Sequence, residues 1–194
     1  MTQPALPNSP QFSDENLREM AIARVAYRRI SRAVWVARTD GMILIAFGAL
    51  TIIGGIGSIS AMAAGAVLAV IGWIEWRGSD RLRKFDPRAL STLMLNQLVL
   101  GGLLILYSLV QLVSEMMGRG LTADLNGDLS EFGVVDTGEL HALVMLFYVA
   151  LIFIAVLCMG GLAYYYFTRQ KYVDAYLKET PDWIVAMQKS GVTL

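Results

Sequence analysis

Residues 42–76 read MILIAFGALTIIGGIGSISAMAAGAVLAVIGWIEW, with Glu75 the only charged side chain in the run. A bilayer core of about 30 Å takes about 20 helical residues, so the run is too long for one crossing and suits two short ones. The cluster Gly54-Gly55-Ile56-Gly57-Ser58 at its centre marks the turn. The stretch therefore predicts a transmembrane helical hairpin. Lipid tails are as apolar as Leu, so such helices associate through close backbone contact, which small residues permit. Gly48, Thr51 and Gly55 share one face of the first helix; Ala61, Gly65 and Ala69, followed by Gly72, form a second smooth stripe. The two stripes are expected to pack on one another, the alternative being that one of them docks a partner subunit.

Around the hairpin the composition agrees with a membrane class. The chain has 194 residues, 56% hydrophobic and only 16% charged, with no formal net charge. A soluble domain is closer to a quarter charged. One cysteine (Cys158) and one histidine (His141) exclude an internal disulfide, a CxxC redox centre, and all-Cys or multi-His metal sites within one chain.

N-terminal to the hairpin, residues 1–12 read as a polar, disordered arm without a signal peptide's basic and apolar regions. Residues 13–40 predict a helix capped by Ser13 or Asp14 and carrying Arg18, Arg24, Arg28, Arg29, Arg32 and Arg38. Such a basic juxtamembrane helix either fixes orientation or lies on an anionic leaflet. On the other side, Arg77 to Arg88 form a polar loop, and Asp86-Pro87 reads as a cap with Pro at the first helical position. A third span follows over 90–117, an acidic loop over 118–140, and a fourth span over 141–168 ending in Tyr164-Tyr165-Tyr166-Phe167. With Trp73 and Trp76 that run suggests an aromatic belt. The tail, 169–194, is expected to stay helical and to close with a short helix after Thr180-Pro181.

The expected fold is thus all-α: a transmembrane domain over 41–168 with spans near 41–57, 59–76, 90–117 and 141–168, arranged up-down-up-down. Fifteen of the sixteen Lys and Arg residues fall on the side shared by both termini, Arg119 being the exception. The positive-inside rule then puts both termini in the cytoplasm and residues 118–140 outside. The strength of that bias suggests a bacterial inner membrane.

Chemistry-bearing residues are few. Gln97, Gly101, Leu104, Ser108, Gln111 and Glu115 recur at spacings of three and four, so they share a narrow arc of the third span. Polar side chains in hydrocarbon need partners, so this seam must face protein or water. Hydrogen-bonding glue between helices is the leading reading; a water-lined path around an oligomer axis, and a lipid or ligand groove, are the alternatives. Glu115 and His141 fall at one depth; the leading reading is that both are wet interfacial residues, the alternative that they pair and share a proton. Asp124, Asn126 and Asp128 match the opening of a calcium loop, but Leu129 replaces its glycine and Val135 its bidentate Glu, which leaves them weak candidates. No Walker loop, HExxH or GxSxG motif is present, no cofactor is implied, and the basic residues track a membrane face rather than nucleic acid. The sequence therefore points to a non-enzymatic structural or assembly subunit, with lipids and other subunits or further copies as partners. A small homo-oligomeric channel or carrier lined by the seam is the alternative. A lipid enzyme using Arg81 and Arg83 ranks third.

Overall fold

The computed structural model describes residues 13–122 and 137–192. The N-terminal arm, the calcium-loop candidates Asp124, Asn126 and Asp128, and most of the acidic loop lie outside the described residues. Within them the fold is all-helical, without strands: α1 (Asp14–Gly54), α2 (Ile59–Arg83), α3 (Ala89–Met116), α4 (Thr137–Ile154), α5 (Gly160–Glu179) and α6 (Asp182–Lys189). A single π-helical turn, Ala155–Met159, joins α4 to α5. Four helical stretches, α1, α2, α3 and the Gly138–Glu179 run, are long and apolar enough to cross a membrane.

α1 starts where the sequence predicts, with Ser13 Oγ accepting from Asn16 N at 3.2 Å. It then runs unbroken for 41 residues, about 60 Å at 1.5 Å per residue and twice a bilayer core. The basic stretch 13–40 is thus continuous with the first apolar stretch in a single helix. Nothing between Arg38 and Met42 breaks it. At Gly41 α2 crosses so closely that a Cβ would sit 2.7 Å from Gly72 O.

The hairpin turn falls at Gly55–Gly57, and Ser58 caps α2 by accepting from Ala61 N. α1 and α2 run antiparallel with backbones nearly touching. A Cβ on Gly48 would meet Gly65 O at 2.6 Å, one on Gly65 would meet Gly48 O at 2.7 Å, and one on Gly55 would meet the Ala61 methyl at 2.6 Å. The two small-residue stripes lie face to face. At the α2–α3 corner, Asp86 Oδ1 accepts from Arg88 N at 3.0 Å and α3 begins at Ala89. Asp86 thus closes a turn ahead of the helix, and Pro87 lies in that turn rather than at the first helical position.

The molecule has two kinds of interior. The spans turn most of their bulky apolar side chains outward: Ile59 is 88% exposed, Phe153 66% and Leu106 59%, which suits a lipid surround. A conventional hydrophobic core instead gathers at the end from which α1 and α5 project. There Ala23, Ile30, Ala33, Leu82, Leu90, Leu93, Val173 and Ile184 are buried around Phe85 and Tyr176. Phe85 and Tyr176 stack at 5.2 Å, with Tyr27 tilted against both. Phe85 reaches this position from a left-handed backbone, φ 59°, a conformation costly for a bulky residue. α6 folds back onto α1, where Trp183 Nε1 donates to Glu19 Oε2 at 3.3 Å.

Candidate functional site

Where the projecting core meets the apolar spans, one residue or pair from each of four long helices converges: Asp40 (α1), Glu75 (α2), Asn96 and Gln97 (α3) and Tyr166 (α5). Glu75, Gln97 and Tyr166 are fully buried and Asn96 is 7% exposed, while Asp40 keeps partial contact with the surface. Gln97 Nε2 donates to Asp40 Oδ2 at 2.6 Å and to Glu75 Oε1 at 2.8 Å. Tyr166 Oη donates to Glu75 Oε1 at 3.2 Å. Asn96 Nδ2 donates to Glu75 Oε2 and to the Ile71 carbonyl, each at 3.2 Å.

Two features set this cluster apart. Its two carboxyl groups are bridged by the Gln97 amide nitrogen, and among the described residues no Lys or Arg forms an ion pair with either. Gln97 Oε1 is buried and has no hydrogen-bond partner. A buried charge without a counter-charge is expensive, so a carboxyl pair in such a place is favoured with a proton held between its members.

The remaining seam residues do not join it. Gly101 packs on the π-helical turn, a Cβ there meeting Met159 Cβ at 3.0 Å. Ser108 is buried and donates to its own helix at Leu104 O, 2.8 Å. Gln111 donates to Tyr107 Oη at 3.2 Å. At the far end of α3, Glu115 is buried and accepts from both Thr122 N, at 3.1 Å, and Thr122 Oγ1. His141 Nδ1 lies 3.5 Å from Glu115 Oε2. The chain doubles back through Gly118, φ +68°, and passes so close to Glu115 that a Cβ on Gly120 would overlap its carboxyl.

A second feature lies on the projecting end: a cavity of about 580 Å³ between α1 and α5. Ile22, Val25, Tyr172 and Pro181 line it together with Glu19 and Glu179, and Arg29 lies 5.1 Å over the Tyr172 ring. Cys158 is exposed on the π-helical turn. Among the described residues no three of His, Cys, Asp or Glu gather as they would around a transition metal.

Of the cluster, sequence reasoning singles out only Gln97. Glu75 is visible as the one charge in an apolar run, next to the end of that run, but nothing in the sequence names its partners. Asn96 flanks the seam's arc, and Asp40 and Tyr166 are brought in only by tertiary packing. Comparison with protein-family models, curated proteins and solved structures finds no match to this chain. Fold and site together define an all-helical, membrane-type protein: four helices capable of spanning, tied by a buried polar cluster at one end of their apolar segments.

Proposed function

We propose that the protein is a non-enzymatic polytopic membrane subunit whose projecting end receives another chain. The observation that carries this reading is a pair of apolar residues beyond the span. Ile22 and Val25 are 64% and 66% exposed on the lip of the α1–α5 cavity. Apolar side chains outside the bilayer gain from being covered. Glu19 and Glu179 beside them suit a partner segment that is apolar on one face and flanked by Lys or Arg. The seam-lined channel or carrier has less support, because Gln97, Ser108 and Glu115 are each hydrogen-bonded within the bundle and Gly101 packs on Met159 between them.

In this reading the spans run up-down-up-down through a bacterial inner membrane and lipid covers their outward faces. Both termini and the projecting end are cytoplasmic, and residues 118–140 are extracytoplasmic, as the positive-inside rule requires. The test is native mass spectrometry of the protein released in its own lipid. The expected result is a stoichiometric second chain, lost when Ile22 and Val25 are both replaced by Ser. A wild-type monomer, or a complex indifferent to that double substitution, overturns the reading.

A further inference from the structure

We propose that Arg29, Arg169 and Lys171, gathered on the Tyr172 ring, form a binding site for the phosphate of an anionic phospholipid. Three observations carry this. First, cations from two helices crowd one ring. The Arg29 guanidinium of α1 lies 5.1 Å from its centroid, and the Arg169 guanidinium and Lys171 Nζ of α5 lie 5.4 Å and 5.3 Å from it. Among the described residues none of the three forms an ion pair. Like charges held this close repel, so an anion between them is favoured. Second, Arg169 is fixed in place. It is half-buried, with its guanidinium 4.6 Å over the Tyr165 ring as well as beside Tyr172; the spacings i−4 and i+3 put both rings on one face of α5. A guanidinium held over rings by its face keeps its edge donors for a planar or tetrahedral oxyanion such as phosphate. Third, the cluster lies at the right depth. The fourth apolar stretch ends at residue 168, so Tyr172 lies about 6 Å beyond it at 1.5 Å per residue. The headgroup layer adds about 5–8 Å to each side of the hydrocarbon core.

The surface below the cluster favours a lipid over a soluble anion. Tyr164, Phe167 and Lys171 follow at i, i+3 and i+7 and share one face of α5. Tyr164 is 69% exposed and Phe167 61%, and Lys171 is exposed above them. That face thus passes from apolar to cationic along the direction in which a phospholipid passes from acyl chain to phosphate. A soluble anion gains nothing from the apolar part. At the other end of the α1–α5 cavity Glu19 and Glu179 repel phosphate, which confines the site to the membrane end. The cytoplasmic leaflet, where the proposed orientation puts this end, is the one rich in anionic lipid. The inference rests on the membrane-spanning reading of the chain and not on the partner chain.

The test is native mass spectrometry of the full chain in detergent micelles doped with phosphatidylglycerol or with phosphatidylcholine of the same acyl chains. Phosphatidylglycerol is expected to stay bound through gentle activation and phosphatidylcholine to leave. In the triple variant Arg29→Gln, Arg169→Gln, Lys171→Gln the apparent affinity for phosphatidylglycerol, titrated in the same micelles, should fall on the order of a hundred-fold. A second triple variant, Arg81→Gln, Arg83→Gln, Lys84→Gln, removes the same charge from exposed positions at the α2–α3 corner and should bind as the wild type does. Should the first variant fail to fold, Arg29→Gln and Lys171→Gln, both at exposed positions, are read singly. Each is expected to weaken binding about five-fold, and no change in either overturns the proposal. Equal retention of the two lipids, or equal losses in the two triple variants, also overturns it, as does binding of inorganic phosphate without retention of phosphatidylglycerol. The assembly reading is decided separately, since a second chain appears at a different mass and depends on Ile22 and Val25.

Discussion

Phe85 illustrates how a single residue can trade backbone comfort for packing. Its left-handed conformation, φ 59°, costs about 1 kcal/mol or more, and in return its ring fills the space between Tyr27 and Tyr176. Phe→Ala in a core typically costs about 3–5 kcal/mol, and alanine here keeps the strained backbone while losing the ring. Glycine loses the ring but adopts the positive φ freely. Phe85→Gly is therefore expected to be the more stable of the two variants, by about 1 kcal/mol, although its side chain is the smaller. Chemical denaturation of both in detergent checks the order. If alanine is the more stable, backbone strain plays no part at this corner. The sequence signals none of this, because a Phe between Lys84 and Asp86 carries no mark of positive φ.

At the scale of elements, the α1–α2 pair is the part most legible in the sequence. The stripe Gly48, Gly65 and Gly72 could be read from periodicity because close approach of two backbones tolerates nothing larger. The structure adds Gly41, where α2 crosses the base of the projecting half. Its place beside Thr39 and Asp40 reads as a break only if the crossing is unknown. The polar cluster was legible by one residue, since Gln97 lies on a seam with regular spacing while its partners come from three other helices. Gly48→Val is expected to lose about 1–3 kcal/mol by overpacking, because its Cβ would sit 2.6 Å from backbone that cannot rotate away. Gly102→Ala, with nothing within 4 Å of the new methyl, should be neutral or gain up to about 1 kcal/mol from helix propensity. Unfolding midpoints of the two variants decide the matter. Equal losses would mean that the hairpin is held by something other than its glycine contacts.

For the whole molecule, two long helices outrun the other two at the same end. The extra length of α1 and α5 carries a water-soluble type of core, whereas the four apolar stretches face outward. That division coincides with the charge on which the proposed orientation rests: the end with the buried aromatic core also holds fifteen of the sixteen Lys and Arg residues. Moving that end across a bilayer would mean carrying those charges through hydrocarbon, so the orientation set on insertion should persist. In a Cys158→Ser background, Ser60→Cys places a thiol on the exposed first turn of α2, next to the hairpin turn, and Ser190→Cys places one on the exposed end of α6. A membrane-impermeant maleimide added to intact cells is expected to label the first and spare the second, with the second labelled once the cells are opened. The reverse pattern would put the projecting core outside. The cavity beside Ile22 would then meet extracytoplasmic partners instead.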